Sequence, residues 1–333
     1  MKKTKIAING FGRIGRNLFR LLINHPAIEV AAVNDIADAR TMAHLLKYDS
    51  IHGILQHEVH HTEDSLIIDG KPVPFIRQKS VQDINWAQYD IDIVIESTGR
   101  FKTLDDAQQH LDSGAKRVIL SAPPEDDRIK TIVLGVNEHI LDGTELVISN
   151  ASCTTNNAAP MMKIINDLCG IEQAYITTVH SYTTDQSLHD QPHKDLRRAR
   201  GAAQSIVPTT TGAAKALTKI FPQFVGKIGG GGIRVPVPDG SLTDITCYVS
   251  REVSIEEINA AFKTASQNGL TGILAYTEDP IVSVDVLGNR HSCLFDAQLT
   301  SVIDKMVKVV GWYDNEIGYS SRIIDLIMYT SRG

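Results

Sequence analysis

Apolar residues recur along this chain at two spacings, and the balance between them changes once. Up to about residue 150, short apolar runs alternate with stretches whose apolar positions fall three and four apart, the signatures of buried strands and amphipathic helices. Residues 5–9 read as a strand, Leu18, Leu21 and Leu22 as the stripe of a helix that stops before Pro26, and 28–33 as a second strand ending at Asn34 and Asp35. Further strands are expected at 91–96, 117–120, 131–136 and 145–148. Strands alternating with helices predict a doubly wound parallel sheet, and so an α/β fold class, for residues 1 to 152. Beyond Cys153 the strands lengthen and alternate apolar with polar positions, as in 174–179, which leads to His180, and in 306–313. Between these strands lies a polar stretch of about two dozen residues, too long for an ordinary connection and so expected to be functional or interfacial. It ends at Ala203 and carries Asp185, Lys194, Arg197, Arg198 and Arg200. An amphipathic helix with Ile323, Ile324 and Ile327 closes the chain.

The first strand runs directly into Gly10-Phe11-Gly12-Arg13-Ile14-Gly15. A Gly-x-Gly-x-x-Gly alone says little. Set between strand and helix in a unit of about 30 residues, with an acid placed after the second strand, it points to a dinucleotide. Gly10 then serves the tight turn, Gly12 the approach of backbone to a pyrophosphate, Gly15 the packing of helix on strand, and Asp35 accepts from a ribose hydroxyl. Two later strand endings, Ser97-Thr98-Gly99 and Ser121-Ala122-Pro123-Pro124, are further candidate cofactor contacts, since open parallel sheets bind ligands beyond the carboxyl ends of their strands. Each also fits an ordinary turn.

Where the two patterns meet stands Ser149-Asn150-Ala151-Ser152-Cys153-Thr154-Thr155-Asn156. A strand precedes it, and Met161, Ile164, Ile165 and Leu168 follow at helical spacing over 157–169. Cys153 therefore sits at a helix start, where unpartnered N–H groups and the positive end of the dipole favour a thiolate. A lone cysteine is ordinarily a small buried hydrophobe; this one is surrounded by hydroxyls and amides. A dinucleotide implies hydride transfer and an activated cysteine implies covalent capture of a carbonyl, so together they imply oxidation of an aldehyde through a hemithioacetal to a thioester. His180, 27 residues on at a strand end, is the candidate base, expected to hold the thiolate as a protonated partner and to move the hydroxyl proton as hydride leaves. Residues 208–215 again offer hydroxyls and N–H groups at a helix start, an anion site by construction.

Composition narrows the class without changing it. The 333 residues exceed what one core usually serves, so two domains are expected. A net charge of -6 argues against nucleic acid or an anionic membrane as the main partner. Met1-Lys2-Lys3-Thr4-Lys5 runs straight into a strand with no apolar leader, which makes the cytoplasm the expected location. The cysteines at 153, 169, 247 and 293 lie too far apart for a Cys-x-x-Cys motif, and His52, His57, His60 and His61 lack a second ligand group at zinc spacing, so no metal is expected.

The motifs Asn-Gly-Phe-Gly-Arg-Ile-Gly-Arg at 9–16, Ala-Ser-Cys-Thr-Thr-Asn at 151–156, His-Ser-Tyr-Thr at 180–183, Asp-Leu-Arg-Arg-Ala-Arg at 195–200, the run 208–215 and Trp-Tyr-Asp-Asn-Glu-Ile-Gly-Tyr at 312–319 stand in order across the whole chain. In them the chain resembles the phosphorylating glyceraldehyde-3-phosphate dehydrogenases. The resemblance implies oxidative phosphorylation of glyceraldehyde 3-phosphate to 1,3-bisphosphoglycerate, with NAD and inorganic phosphate, in glycolysis or gluconeogenesis. It implies Cys153 as nucleophile and His180 as base and later acid. Thr183 and Arg234, with Asp185 nearby, would hold the phosphate of the sugar; Ser152, Thr154, Thr211 and Gly212, with Arg198 close by, would hold the attacking phosphate. Arg13 and Ile14 would line the pyrophosphate, Arg77 and Ser121 further parts of the cofactor, and Asn315 the nicotinamide amide. The implied domains are an NAD-binding (Rossmann) domain over 1–152 plus 315–333 and an α+β catalytic domain over 153–314 with a large, mostly antiparallel sheet. A homotetramer is implied, with the polar stretch after His180 at its interfaces.

The chain departs from the family pattern at Asn157, where most relatives carry a second cysteine, at Gln191 before Pro192, where NAD-specific members commonly have leucine, and in the glycine run 229–232 before Arg234. An erythrose-4-phosphate dehydrogenase shares the cysteine motif, but those relatives tend to lose the phosphate-binding His-Ser-Tyr-Thr and Thr-Gly-Ala-Ala-Lys, both present here. A non-catalytic dinucleotide-dependent binding protein has no use for the Cys153 and His180 pair.

Overall fold

The computed structural model describes residues 2–331. The chain divides into two units: one takes 1–132, 139–151 and 320–333, the other 133–138 and 152–319. In the first unit the strands are β1 (Thr4–Asn9), β2 (Ile28–Asn34), β3 (Tyr48–Asp49), β4 (Gly53–Ile54), β5 (Val59–His61), β6 (Ser65–Ile68), β7 (Lys71–Ile76), β8 (Ile93–Glu96), β9 (Arg117–Leu120), β10 (Lys130–Thr131) and β11 (Val147–Ser149). Helices α1 (Arg13–Leu22), α2 (Ala39–Lys47) and α3 (Leu104–Asp112) connect them.

One sheet runs β10-β11-β9-β8-β1-β2-β7-β6-β5, while β3 and β4 form a separate ribbon. Its pairs are parallel from β10 to β7, and β6 and β5 add an antiparallel edge. Ile6, Ile8, Val94, Ile95, Val118 and Ile119 are fully buried, as expected of parallel strands covered on both faces. β1 lies between β2 and β8, so the strand order reverses there and the chain leaves Asn9 and Glu96 at adjacent carboxyl ends. That is the place where open α/β sheets bind ligands.

One expected element differs. The run 131–136 is a strand only at its start, in β10, because the Val133 N–H donates to the Asn137 side chain at 2.7 Å and the chain turns there instead of pairing. The helix after the cysteine motif begins at Cys153, as expected, because Ser152 in extended conformation caps it, accepting from the Thr155 N–H at 3.1 Å.

The second unit contains that helix, α4 (Cys153–Cys169), and strands β12 (Ile171–Ser181), β13 (Val207–Thr209), β14 (Ile228–Val235), β15 (Ser241–Val249), β16 (Leu274–Thr277), β17 (Cys293–Asp296), β18 (Ser301–Ile303) and β19 (Met306–Tyr313). Helices α5 (Ala213–Ile220) and α6 (Ile255–Gln267) lie among them, and α7 (Ile317–Thr330) starts in this unit and ends in the first. The sheet order is β13-β14-β12-β15-β19-β17-β16, with β18 on β19. Pairing is antiparallel except for β12 with β14 and β16 with β17. The glycine run lies in β14, and a Cβ at Gly230 stands 3.0 Å from the Ile176 carbonyl and 3.2 Å from the Ala214 side chain at the start of α5. A side chain at 230 would thus press on both the neighbouring strand and α5. Among the described residues no helix is long and apolar enough to cross a membrane.

Candidate active site

Sheet register in the second unit assembles the reactive groups. β12 and β14 run parallel with His180 paired to Arg234, and β15 places Ser241 opposite Tyr313 of β19. The Cys153 Sγ at the start of α4 lies 3.4 Å from His180 Nε2. On the far side of the imidazole, Nδ1 faces the Ser181 carbonyl at 2.8 Å and the Arg234 guanidinium at 3.0 Å. The same guanidinium nitrogen donates to that carbonyl at 2.9 Å and to the Thr183 hydroxyl at 3.2 Å.

Burial pushes the Cys153 thiol up, opposed by the Arg234 cation and by the Thr154 backbone and hydroxyl. Burial and Arg234 together pull the His180 imidazole down. Burial thus works against charge on either member of the pair, and the permanent cation beside it is Arg234. A neutral imidazole in contact with a thiol is the form that accepts a proton, and one proton shared over 3.4 Å makes the two groups titrate together.

Several groups of this site have no signal in the sequence beyond their residue type. The Tyr313 hydroxyl bridges Thr154 at 3.0 Å and Thr178 at 2.9 Å, and its ring meets His180 edge to face, with centroids 5.9 Å apart. Ser181 and Ser241 both donate to Asn315 Oδ1, at 2.9 and 2.7 Å, which orients the buried amide and leaves its N–H groups as the donors. These are strand residues whose roles depend on which strands become neighbours.

The candidate phosphate ligands divide. Thr183 donates to Asp185, Arg198 donates to Asp185 at 2.5 Å and to Thr209 at 2.9 Å, and Arg234 joins them through Thr183. Although burial pushes Asp185 up, the Thr183 hydroxyl, Arg198 and Arg234 hold its carboxylate below the usual range. Thr211 accepts from the Ala213 N–H, the first of α5, at 3.2 Å, and Gly212 at the N-cap contributes no side chain of its own. Ser152 and Thr154 are otherwise engaged: the Ser152 hydroxyl caps α4 and that of Thr154 contacts Tyr313.

In the first unit, a Cβ at Gly10 would stand 2.6 Å from the Thr98 N–H, and Gly10 has φ +94, so only glycine fits that turn. A Cβ at Gly15 would collide with the Gly10 carbonyl, whereas at Gly12 it meets nothing within 4 Å, which leaves the start of α1 open. α1 has no side-chain cap, so the N–H groups around Ile14 have the arrangement that receives a pyrophosphate. Asp35 accepts from the Phe11 and Ala37 N–H groups at 2.7 and 3.0 Å, which fixes its carboxylate at the end of β2. Arg13 is turned to the buried carboxylate of Asp49 at 2.5 Å, so its guanidinium is already paired. Arg77 donates to the Ile36 carbonyl at 3.1 Å, and the Ser121 N–H donates to the Glu96 carbonyl at 2.9 Å.

Comparison with known proteins bears on both units. Residues 4–104 match the family model of the glyceraldehyde 3-phosphate dehydrogenase NAD binding domain, and 152–315 match that of its C-terminal domain. The chain belongs to the glyceraldehyde-3-phosphate dehydrogenase family. It is 54% identical over 328 residues to glyceraldehyde-3-phosphate dehydrogenase 2 of Streptomyces avermitilis, covering 98% of each chain. It is 53% identical over 327 residues to the glyceraldehyde-3-phosphate dehydrogenase of Geobacillus stearothermophilus, covering 98% of this chain and 97% of that one. In glyceraldehyde-3-phosphate dehydrogenase 1 of Bacillus subtilis the identity is 51% over 330 residues, with 98% of each covered. The relatives are thus matched almost end to end, and the glyceraldehyde-3-phosphate dehydrogenase assignment spans the cysteine motif and the glycine turn alike.

Proposed function

We infer that this chain is an NAD-dependent phosphorylating dehydrogenase that converts glyceraldehyde 3-phosphate and inorganic phosphate to 1,3-bisphosphoglycerate in glycolysis or gluconeogenesis. The observation that carries this reading is the 3.4 Å contact of Cys153 Sγ with His180 Nε2 at a helix start, with Arg234 on the next strand. The open glycine turn and uncapped start of α1 suit NAD, whose pyrophosphate the turn from Gly10 to Gly15 would hold and whose ribose Asp35 would hold. Arg77 and Ser121 are assigned to further cofactor contacts, and Asn315 would give its amide N–H to the nicotinamide carbonyl. Bound NAD supplies the hydride acceptor.

The residues of the chain do the remainder. His180 Nε2 takes the thiol proton, Cys153 sulfur attacks the aldehyde carbon as its C=O π bond opens, and His180 returns the proton to the resulting alkoxide oxygen, giving a hemithioacetal and a neutral imidazole. His180 then takes the hydroxyl proton as the carbon loses hydride, leaving a thioester. A phosphate oxygen adds to the thioester carbonyl, the C–S bond breaks, and the acyl phosphate leaves with Cys153 regenerated as thiolate. Thr183, Arg234 and Asp185 are assigned to the sugar phosphate, and Ser152, Thr154, Thr211, Gly212 and Arg198 to the attacking phosphate. Ser152 and Thr154 take part only if their hydroxyls leave the capping and Tyr313 contacts described above. We further propose a cytoplasmic homotetramer; exposed Leu188, Leu196 and Ile206, on and beside the polar stretch, support an interface there.

The test is NADH formation with glyceraldehyde 3-phosphate and with erythrose 4-phosphate, each with and without inorganic phosphate. The expected result is faster turnover of the three-carbon aldehyde and dependence on phosphate. Preference for erythrose 4-phosphate, or turnover indifferent to phosphate, overturns the reading.

A further inference from the structure

Beneath the glycine turn of the first unit lies a run of buried polar side chains that the reaction does not use directly. Glu96 at the end of β8 is its centre. One carboxylate oxygen accepts from Asn9 Nδ2 at 2.5 Å and from His110 Nε2 at 3.1 Å; the other accepts from the Thr98 N–H at 2.8 Å and from the Thr98 hydroxyl. His110 Nδ1 accepts from the Trp86 indole at 3.1 Å, a group that only donates, so the imidazole proton is on Nε2 and points at Glu96. Asn9 Oδ1 accepts from Asn34 Nδ2 at 2.7 Å, and Asn34 Oδ1 from the Gln78 N–H at 2.9 Å, which fixes both amides. Every bond in the chain thus has one possible direction, and Glu96 receives at both of its oxygens. Asn9, Asn34, Glu96, His110 and Trp86 are all at most 5% exposed.

What Glu96 grips is the part of the structure that shapes the glycine turn. The Ser97 hydroxyl donates to the Gly10 carbonyl at 2.7 Å and to the Asn9 carbonyl at 3.1 Å. The Thr98 N–H occupies the space in which a Cβ of residue 10 would stand. We propose that Glu96, oriented by His110 and Asn9, is a positioning residue for the dinucleotide: it clamps the 97–98 turn against Gly10 and so presets the N–H groups that receive the pyrophosphate. The proposal rests on the reading of that turn as the NAD site.

Glu96→Gln tests it, because a carboxamide offers one accepting oxygen and one N–H group. Either flip turns an N–H toward donors, the Thr98 N–H or those of Asn9 and His110. The expected result for the full-length enzyme is KM and Kd for NAD raised roughly 10-fold, the factor expected when a buried hydrogen bond is lost, with kcat at saturating NAD within about 2-fold and KM for the aldehyde unchanged. His110→Gln, which keeps a donor toward Glu96 and an acceptor for Trp86, is expected to stay within about 3-fold of wild type in Kd for NAD, and His110→Leu to weaken it like Glu96→Gln. If Glu96→Gln does not fold, the His110 pair decides. Unchanged Kd for NAD in Glu96→Gln and His110→Leu, or equal losses in NAD and aldehyde kinetics, overturns the proposal. Failure of the wild type to bind NAD at all strikes the parent reading instead.

Discussion

Replacing Arg234 by leucine removes the fixed cation beside the Cys153–His180 pair. The guanidinium stands 3.0 Å from Nδ1, and Nε2 stands 3.4 Å from sulfur. With the imidazole between them, cation and sulfur are at most roughly 9 Å apart, where unit charges interact by roughly 0.5 to 2 kcal/mol at effective dielectrics of 80 to 20. A cation favours the deprotonated member of every step in which the pair loses a proton, so its removal raises the pH at which thiolate appears. The expected displacement is upward by roughly 0.3 to 1.4 pH units. The assay is the rate of Cys153 alkylation by iodoacetamide against pH, in wild type, Arg234→Leu and Arg234→Lys, with the modified peptide identified by mass. Arg234→Lys is expected to fall between the other two, since it keeps charge but not the fork. Cys169, Cys247 and Cys293 are buried with thiols pushed up by burial, so they serve as slow internal controls. Coincident midpoints for wild type and leucine variant, or a downward displacement, refute the view that Arg234 sets the charge of this site.

Other expectations follow from the same geometry. His180→Asn removes the one ring nitrogen in contact with the thiol and is expected to slow the first turnover of NADH formation by about 10²- to 10⁴-fold, read by stopped flow; an unchanged burst rate excludes His180 as the base. Arg234→Leu is expected to raise KM chiefly for the phosphorylated aldehyde, and Thr211→Ala chiefly for inorganic phosphate; exchanged phenotypes mean that the two anion sites are inverted. NAD is expected to be preferred over NADP, because a 2′-phosphate placed about 4 Å from the Asp35 carboxylate is repelled by about 1 to 4 kcal/mol. Equal kcat/KM with both cofactors rejects that role for Asp35.

The parallel sheet and its glycine turn were legible in the sequence because local rules decide them. Apolar runs of strand length and a Gly-x-Gly-x-x-Gly at the junction carry the information within about 30 residues. Cys153 was legible for the same reason, standing in a polar run where a strand gives way to helical spacing. The run 131–136 misled because its apolar pattern is that of a strand, while the competing Asn137 side chain is a single polar residue beyond it. Tyr313, Thr178 and Ser241 were not legible as parts of the site. Their meeting depends on β15 pairing with both β12 and β19, and no local pattern encodes which strands become neighbours. The guanidinium that opposes a charge on His180 was not legible as its neighbour for a related reason, since it arrives from 54 residues away.

The pairing of His180 with Arg234 lies on one rung of a parallel ladder whose β14 side is glycine at four consecutive positions. Glycine strands specify register weakly, because sliding them exchanges like for like. Along 229–232 a slip of one residue costs almost nothing locally, yet at the end of the strand it carries Ile233 or Val235 to the rung of His180. His180 and Arg234 are thus joined by a counting rule: a slip of one residue leaves His180 beside Cys153 and takes the guanidinium off its rung.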